Sequence, residues 1–260
     1  FLSGGLDSSA IVAMMRKIMP DAPIRCYSIG FSDDKDVEGC PADLPYAVKV
    51  ADHLKVDLET IRVTPQQLIE RISELIWFLD EPQADPAPVN AMFIAEKAKN
   101  DGIKVLLSGA GGDDIFTGYR RHLAMKTETL WQWLPGPARK LAGRLASAYA
   151  DVRNPWARRL VKVLQNAHLP ASDRLFAYYQ WSSDELRHNL FARQHREEAF
   201  SEPVNKPLSD ALNSISSEHD PINQMLFLDS HFFLPDHNLN YTDKTCMRYG
   251  VEARVPLLDP

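Results

Sequence analysis

Strand-like and helical patterns alternate over the first 120 residues of the chain. Runs rich in β-branched and aromatic residues lie at 24–31, 58–63 and 104–108. Apolar residues recur at helical spacing before and between these runs, at 10–18, 44–54, 65–79 and 89–99. Because strands separated by helices pair in parallel, the sequence predicts an α/β fold whose parallel sheet has helices on both faces.

The pattern changes near residue 120. Apolar positions at 141–149, 156–164 and 175–179 are spaced as on helices, and Asp220-Pro221 is typical of a helix start. We therefore predict a sheet-containing part over 1–120 and a mainly helical part over 121–260, in which the strands have stopped.

Composition excludes several classes of protein. The 260 residues include 29 Lys+Arg and 35 Asp+Glu, a formal net charge of −6, which argues against a generally basic nucleic-acid-binding protein. No apolar run is long enough for a membrane span, and the first residues given lack the basic start and apolar run that are typical of a signal peptide. The three cysteines, Cys26, Cys40 and Cys246, lack metal-site spacing and cannot all pair. These features predict free thiols and a cytoplasmic location.

Segment 120–162 is locally basic, with ten Lys or Arg against two Asp or Glu. A solvated helix face that balances acidic neighbours is the favoured interpretation. Contact with RNA or an anionic membrane surface is the alternative.

Two glycine-containing loops each follow an apolar run and precede a helix. They are 3–9 (SGGLDSS) and 108–114 (SGAGGDD). Glycines let backbone N–H groups turn toward a ligand, and a helix N-terminus favours anions, so each loop suits phosphate. Parallel strands end at one edge of a sheet, which predicts a shared crevice where Asp7 and Asp113 bind Mg²⁺ together with phosphate oxygens.

Structural alternatives exist at both loops. Asp7 and Ser8 could simply cap a glycine turn, and Asp113-Asp114 could cap a short helix. The first loop also lacks the Gly-Lys-Ser/Thr ending of a P-loop NTPase, so a phosphate-binding lysine must come from elsewhere or be absent.

Six ordered motifs spread over the whole chain carry a family resemblance. They are SGGLDSS at 3–9, YSIGF at 27–31, DEP at 80–82, SGAGGDDIFTGY at 108–119, LPD at 234–236 and EARVPLLD at 252–259. Together they resemble the synthetase domain of the glutamine-dependent asparagine synthetase family.

The resemblance implies a fold of the PP-loop, adenine nucleotide alpha hydrolase-like type, with ATP and Mg²⁺ as ligands. It implies that a substrate carboxylate, aspartate or a related acid, becomes an acyl-adenylate with release of pyrophosphate. Ammonia derived from glutamine then displaces AMP, as in asparagine biosynthesis.

The resemblance also implies residue roles. The nucleotide is expected at Phe1, Leu2, Ser3, Gly4, Gly5, Asp7, Ser8, Ser9, Ile29, Gly30, Ser108 and Gly109. Asp7 and Asp113 are expected to bind the metal, and with Lys244 they form the expected catalytic set. A structural ion pair of Lys244 with Asp243 or Asp236 is the alternative. His237 and the Arg120-Arg121-His122 run are assigned to surface or packing.

This chain departs from the family pattern at two positions of the second loop. Ala110 replaces the usual first acid and Asp114 replaces the last, which leaves the identity of the acceptor carboxylate open. The family's glutaminase half, with its nucleophilic Cys, and a catalytic Lys beyond Pro260 are expected outside this fragment. A homodimer is compatible with the sequence.

Two other functions compete with amide synthesis. One is a PP-loop adenylating enzyme that acts on RNA, with the basic segment as its contact surface. The other is an ATP-binding domain without synthetase activity.

Overall fold

The computed structural model describes residues 1–31, 43–80, 83, 85, 87–149, 154–215 and 220–259. Cys40, Glu81 and Pro82 lie outside the described residues. The chain divides into two compact units. The first unit comprises Phe1–Phe116 and Ser230–Pro260, and the second comprises Thr117–Asp229.

The helices and strands follow one another as the sequence patterns predict over the first 116 residues. The α-helices in chain order are α1 (Leu6–Ile18), α2 (Leu44–Leu54), α3 (Pro65–Leu79), α4 (Ala87–Asn100), α5 (Gly112–Phe116), α6 (Arg120–Thr127), α7 (Gly136–Tyr149), α8 (Pro155–Gln165), α9 (Ala171–Ala177), α10 (Asp184–Leu190), α11 (Arg196–Ala199), α12 (Lys206–Asn213), α13 (Pro221–Leu228) and α14 (Asn240–Arg248). The strands are β1 (Arg25–Phe31), β2 (Asp57–Val63), β3 (Val105–Leu107) and β4 (Glu252–Arg254). A π-helix spans Asp229–Leu239, and 3₁₀ turns span Glu128–Leu130, Arg193–His195 and Pro256–Leu258.

The described strands form two parallel ladders, β1 with β2 and β3 with β4. Phe1 and Leu2 link them, because the Leu2 N–H donates to the Tyr27 carbonyl at 2.9 Å and the Phe1 nitrogen donates to the Leu107 carbonyl at 2.8 Å. The α/β class with parallel strands is therefore confirmed, although the ladders of the described residues do not form one continuous sheet.

Helices cover both faces of β1, as predicted. Cys26 packs in a cluster with Val12 of α1 and Ala47 of α2, whereas Tyr27 packs with Ile94 of α4. Consecutive strand residues point to opposite faces, so these helices lie on opposite sides of the strand. Cys26 and Cys246 are both buried free thiols, as expected.

The expectation that the strands stop near residue 120 is wrong at β4. This strand pairs with β3, and its ends are fixed by hydrogen bonds from the Glu252 N–H to the Lys104 carbonyl and from the Ser108 N–H to the Arg254 carbonyl, both 2.8 Å. A three-residue strand is too short to show an alternating pattern, so only its partner identifies it. Between 125 and 230, the described residues contain helices and no strand.

Buried ion pairs stabilise the second unit. Asp229 is fully buried and accepts hydrogen bonds from Arg121 at 2.9 Å and Tyr179 at 2.6 Å, with His122 Nε2 also 2.6 Å away. His122 is thus a packing residue, as expected. No helix in the described part of the chain has the length and apolarity needed to cross a bilayer.

Candidate nucleotide and carboxylate site

The first glycine loop is a tight turn that leads into α1. Its Gly4 has a φ of 83°, and a Cβ there would collide with the backbone of α2 at Tyr46. The Gly5 N–H donates to Ser3 Oγ at 3.2 Å, and Ser9 Oγ donates to the Gly5 carbonyl at 2.7 Å. Only glycine at position 4 combines this φ with so close an approach to α2.

The N-terminus of α1 remains available to a ligand. Its N-cap is Gly5, and no described side chain makes a helix-capping hydrogen bond there. The alternative of a glycine turn capped by Asp7 and Ser8 is confirmed only for Ser8, whose Oγ accepts from the Ser3 N–H and donates to the Gly5 carbonyl, both at 3.2 Å. The first N–H groups of a helix lack intrahelical acceptors and carry the positive end of its dipole. This thirteen-residue helix therefore offers its first turn to an anion.

The two glycine loops touch, as predicted from their positions after β-structure. A Cβ at Gly109 would lie 2.8 Å from the Ser8 nitrogen, and one at Gly112 would overlap the Asp7 carboxylate, 2.6 Å from Oδ1. Glycine at both positions lets the second loop and α5 lie directly against the first turn of α1.

This contact brings the Asp7 and Asp113 carboxylates close to each other. Burial raises the pKa of Asp7 above its ordinary value, and the nearby negative charge of Asp113 raises it further. A hard divalent cation would relieve this repulsion, and Mg²⁺ accepts one or two carboxylates together with phosphate and water. Among the described residues no group of three or more His, Cys, Asp or Glu could hold a metal, so such a cation needs oxygens from a nucleotide.

Several residues expected to bind nucleotide are partly or fully in the core. Leu2 is fully buried and its N–H donates to the Tyr27 carbonyl, so its side chain presents no surface to a ligand. Gly30 lies within β1, where a Cβ would be 3.0 Å from Leu44 Cδ2. Phe1 and Ile29 are half-buried in the cluster around Tyr27, and an adenine ring could contact only their exposed parts.

Ser3, Ser8 and Ser108 line the turns themselves. Ser8 Oγ is 3.1 Å from Ser3 Oγ and donates to the Gly5 carbonyl at 3.2 Å, while Ser108 Oγ accepts from the Ala110 N–H at 3.2 Å. These hydroxyls therefore shape the loops, and a phosphate would have to share or displace the hydrogen bonds between them.

Lys244 is in an ion pair, but with neither of its expected partners. From α14 its Nζ donates to Asp80 Oδ2 at 2.6 Å and to the Leu79 carbonyl at 3.0 Å. Asp80 is the C-cap of α3 and has a φ of 63°. The Leu79 carbonyl at the end of that helix therefore accepts its hydrogen bond from the Lys244 ammonium. The structure thus joins Lys244 to the DEP motif, and no contact in the described residues joins it to Asp7 or Asp113.

The asparagine synthase family model matches residues 1–260 of the chain. The chain belongs to the asparagine synthase family. This membership confirms the resemblance carried by the six motifs.

Three relatives of this chain illustrate the range of similarity. An asparagine synthetase [glutamine-hydrolyzing] 1 of Bacillus subtilis is 26% identical over 262 residues, which cover all of this chain and 38% of that protein. The amidase chyE of Penicillium rubens is 23% identical over 288 residues, covering all of this chain and 41% of its own length. An asparagine synthetase [glutamine-hydrolyzing] 2 of Lotus japonicus is 32% identical over 144 residues, 50% of this chain and 23% of that protein. The chain thus spans well under half the length of these relatives.

Sequence reasoning missed one polar cluster in this chain. In the π-helix, His237 Nε2 lies 2.9 Å from Asp85 Oδ2, and the next residue, Asn238, donates to Asp114 Oδ2 at 3.4 Å. Asp114 belongs to α5, directly after Asp113. The His-Asn pair beside a proline gave no recognisable spacing, because its partners are more than 120 residues away.

Proposed function

We propose that this chain carries out ATP-dependent amide formation. A substrate carboxylate, aspartate or a related acid, attacks the α-phosphorus of ATP and forms an acyl-adenylate with release of pyrophosphate. Ammonia then displaces AMP. The contact between the two glycine loops supports this proposal most directly, because it sets two carboxylates beside an uncapped helix N-terminus.

The phosphates are assigned to the first turn of α1 and to Ser3, Gly5, Ser8 and Ser9. Negative charge grows on the leaving pyrophosphate, and N–H groups that already point toward it stabilise that charge without reorganisation. Asp7 and Asp113 would hold Mg²⁺, which supplies further charge neutralisation when bound. Ser108 and Gly109 of the second loop are assigned to the nucleotide as well. The chain's own part is thus positioning and electrostatic stabilisation.

The nitrogen source is assigned to glutamine hydrolysis outside this chain. Two of the relatives above are named as glutamine-hydrolyzing, and this chain spans 38% or less of their length. Family membership does not favour the RNA-modifying alternative. We assign the reaction to the cytoplasm, in line with the cysteine content.

Carboxylate-dependent exchange of labelled pyrophosphate into ATP tests the proposal in the full-length protein. We expect exchange to require Mg²⁺, and Asp7→Asn and Asp113→Asn each to reduce it by about 10²–10³-fold, the usual effect of removing one stabilising group. Asp52→Asn, at an exposed position of α2, is the matched control. Wild-type exchange in both variants would refute the metal assignment. A protein that binds ATP without any exchange would instead be a nucleotide-binding domain without synthetase activity.

A further inference from the structure

Helix α7, in the second unit, has its large apolar side chains on the solvent side. Its less exposed side consists of small residues, Ala142, Gly143 and Ala146. Gly143 lets α8 approach closely, because a Cβ there would lie 2.6 Å from the Leu164 carbonyl oxygen. Leu141 and Leu145, by contrast, are 57% and 49% exposed. A surface helix normally turns such leucines toward the core, so the packing of α7 on α8 does not explain these two.

The same exposed side carries positive charge. Lys140 and Arg144 lie one helical turn apart, both are exposed, and each directly precedes one of the two leucines. The ion pairs found among the described residues of the second unit include neither of them. From residue 129 to residue 172 the sequence contains seven Lys or Arg and a single acid, Asp151. Within the described residues, no acidic partner therefore balances the charges of Lys140 and Arg144.

An exposed tryptophan precedes the helix. Trp133 is 75% exposed and lies three residues before Gly136, where α7 begins. Its Nε1 donates to the Leu130 carbonyl at 2.8 Å, so the indole N–H already has an acceptor. The ring therefore presents an apolar surface directly before α7. We call Trp133, Lys140, Leu141, Arg144 and Leu145 together the α7 face.

RNA and a second copy of this chain fit the α7 face poorly. RNA phosphates would pair with the two cations, but RNA recognition uses aromatic stacking and cations and offers little to a pair of exposed leucines. A second copy related by a two-fold axis would place the same patch against itself, and its cations would then repel each other. Each of these partners thus accounts for only part of the face.

An anionic lipid surface accepts both kinds of side chain at once. Helices that lie in a membrane interface carry Leu, Phe or Trp on one side and Lys or Arg beside them. The long stems of Lys and Arg let their charged ends reach the headgroups while neighbouring apolar side chains lie deeper. The positive charge of the α7 face complements the lipid phosphates, and its leucines and indole suit the boundary with the acyl chains.

We propose that the α7 face binds an anionic membrane surface, with α7 lying in the plane of the interface. Trp133, Leu141 and Leu145 enter the boundary between headgroups and acyl chains, and the two cations contact lipid phosphates. Binding is reversible, because one short helix face buries far less apolar area than a membrane span. The inference is independent of the proposed amide synthesis. In the compartment to which that reaction is assigned, the negatively charged cytoplasmic leaflet is the matching surface.

Sedimentation of the full-length protein with vesicles tests the proposal. We expect binding to vesicles of equimolar phosphatidylcholine and phosphatidylglycerol, and binding weaker by at least about tenfold to phosphatidylcholine alone or in high salt. The double variant Leu141→Gln/Leu145→Gln should weaken binding to the anionic vesicles by about tenfold or more through lost apolar contact. Lys140→Gln/Arg144→Gln should weaken it by a similar factor of about tenfold through lost charge.

Matched variants in the first unit control for apolarity and charge. Ile72→Gln/Ile76→Gln removes two exposed apolar residues from α3, and Lys17→Gln/Lys99→Gln removes two exposed cations. Neither should change vesicle binding by more than about twofold. All four double variants replace exposed side chains, so their urea unfolding curves should stay close to that of wild type.

Tryptophan fluorescence shows whether the face enters the bilayer. Brominated acyl chains quench an indole that reaches them, so the bound wild-type protein should be quenched. Trp133→Phe should remove most of this quenching. Trp77→Phe, which replaces an equally exposed indole on α3, should leave it unchanged.

Several results would overturn the proposal. They are absence of wild-type binding to the anionic vesicles, equal binding to neutral vesicles, wild-type binding by both α7 variants, and full quenching in Trp133→Phe. Binding to poly(U) RNA without vesicle binding would assign the cations to nucleic acid instead. A smaller oligomer of Leu141→Gln/Leu145→Gln in light scattering, without vesicle binding by wild type, would assign the face to a second copy.

Discussion

Replacing Gly112 with alanine tests the arrangement of the two loops directly. The added methyl would lie 2.6 Å from Asp7 Oδ1 and closer still to two other carboxylate atoms, whereas real Cβ contacts essentially never fall below 3.0 Å. Either the Asp7 side chain rotates away from Asp113 or α5 moves away from α1. Overpacking of this kind costs about 1–3 kcal/mol of unfolding free energy.

The larger effect should be on activity. A displacement of about 1 Å in a positioned group commonly costs about 10²-fold in rate, and here the displaced group is a proposed metal ligand. We expect kcat/KM for MgATP in the pyrophosphate assay to fall by about this factor. Gly136→Ala is the control, because its methyl would meet nothing within 4 Å and the residue opens α7 in the other unit.

A double variant identifies the cause. If the overlap with Asp7 is responsible, Asp7→Ala in the Gly112→Ala background should recover most of the lost stability but none of the activity. Urea unfolding curves and the pyrophosphate assay measure the two quantities. Wild-type activity in Gly112→Ala would refute the idea that the Asp7 carboxylate must stay beside α5.

Two further predictions concern the first unit. Arg16 donates to the backbone carbonyls of Leu54, Pro20, Ala22 and Lys55 at 2.6–3.0 Å and so ties the ends of α1 and α2. Arg16→Ala should lower the unfolding free energy by about 1–3 kcal/mol. Arg16→Lys should restore only part of this loss, because an ammonium lacks the planar arrangement of donors in a guanidinium. Equal stability of Arg16→Lys and wild type in urea would contradict this prediction. Burial raises the pKa of the Cys246 thiol to about 11, so its contribution to stability should be complete below the thiol's ordinary pKa and decline as pH rises toward 11. Cys246→Ala should remove that decline, and identical pH profiles of stability for the two proteins would contradict the assignment.

Long periodic segments with strong end signals could be predicted from sequence. The predicted bounds of α2 and α3 agree with the structure, and α3 begins at a capping box in which Thr64 and Gln67 bond reciprocally. Asp220 caps α13 by accepting from the Ile222 N–H at 2.8 Å. The capping residues of such helices stand next to them in the sequence, so the local sequence is enough to predict where each helix begins. Strand β4 has no such signal and depends on pairing with β3.

The candidate site also has one part that the sequence predicts and another that it does not. Sequence placed the two glycine loops together, because the carboxyl ends of parallel strands meet at one edge whatever the side chains are. It could not identify the partner of Lys244, which is Asp80, 164 residues away. That pairing depends on how α14 packs on α3, and several acidic residues were equally plausible along the chain. The roles of Asp7, Asp113 and Lys244 remain proposals, whereas their positions are now defined.

The π-helix is the element whose conformation the local sequence predicts least well. A π-helix is rare beyond a single turn, and Pro235 inside this one removes a further N–H donor. An arrangement of this kind persists only when contacts made by its residues offset its cost. Here those contacts are the buried Leu234, the pair of His237 with Asp85, and Asn238 against Asp114. The last of these contacts reaches the second glycine loop at Asp114, so this helix depends on distant partners that its local sequence does not reveal.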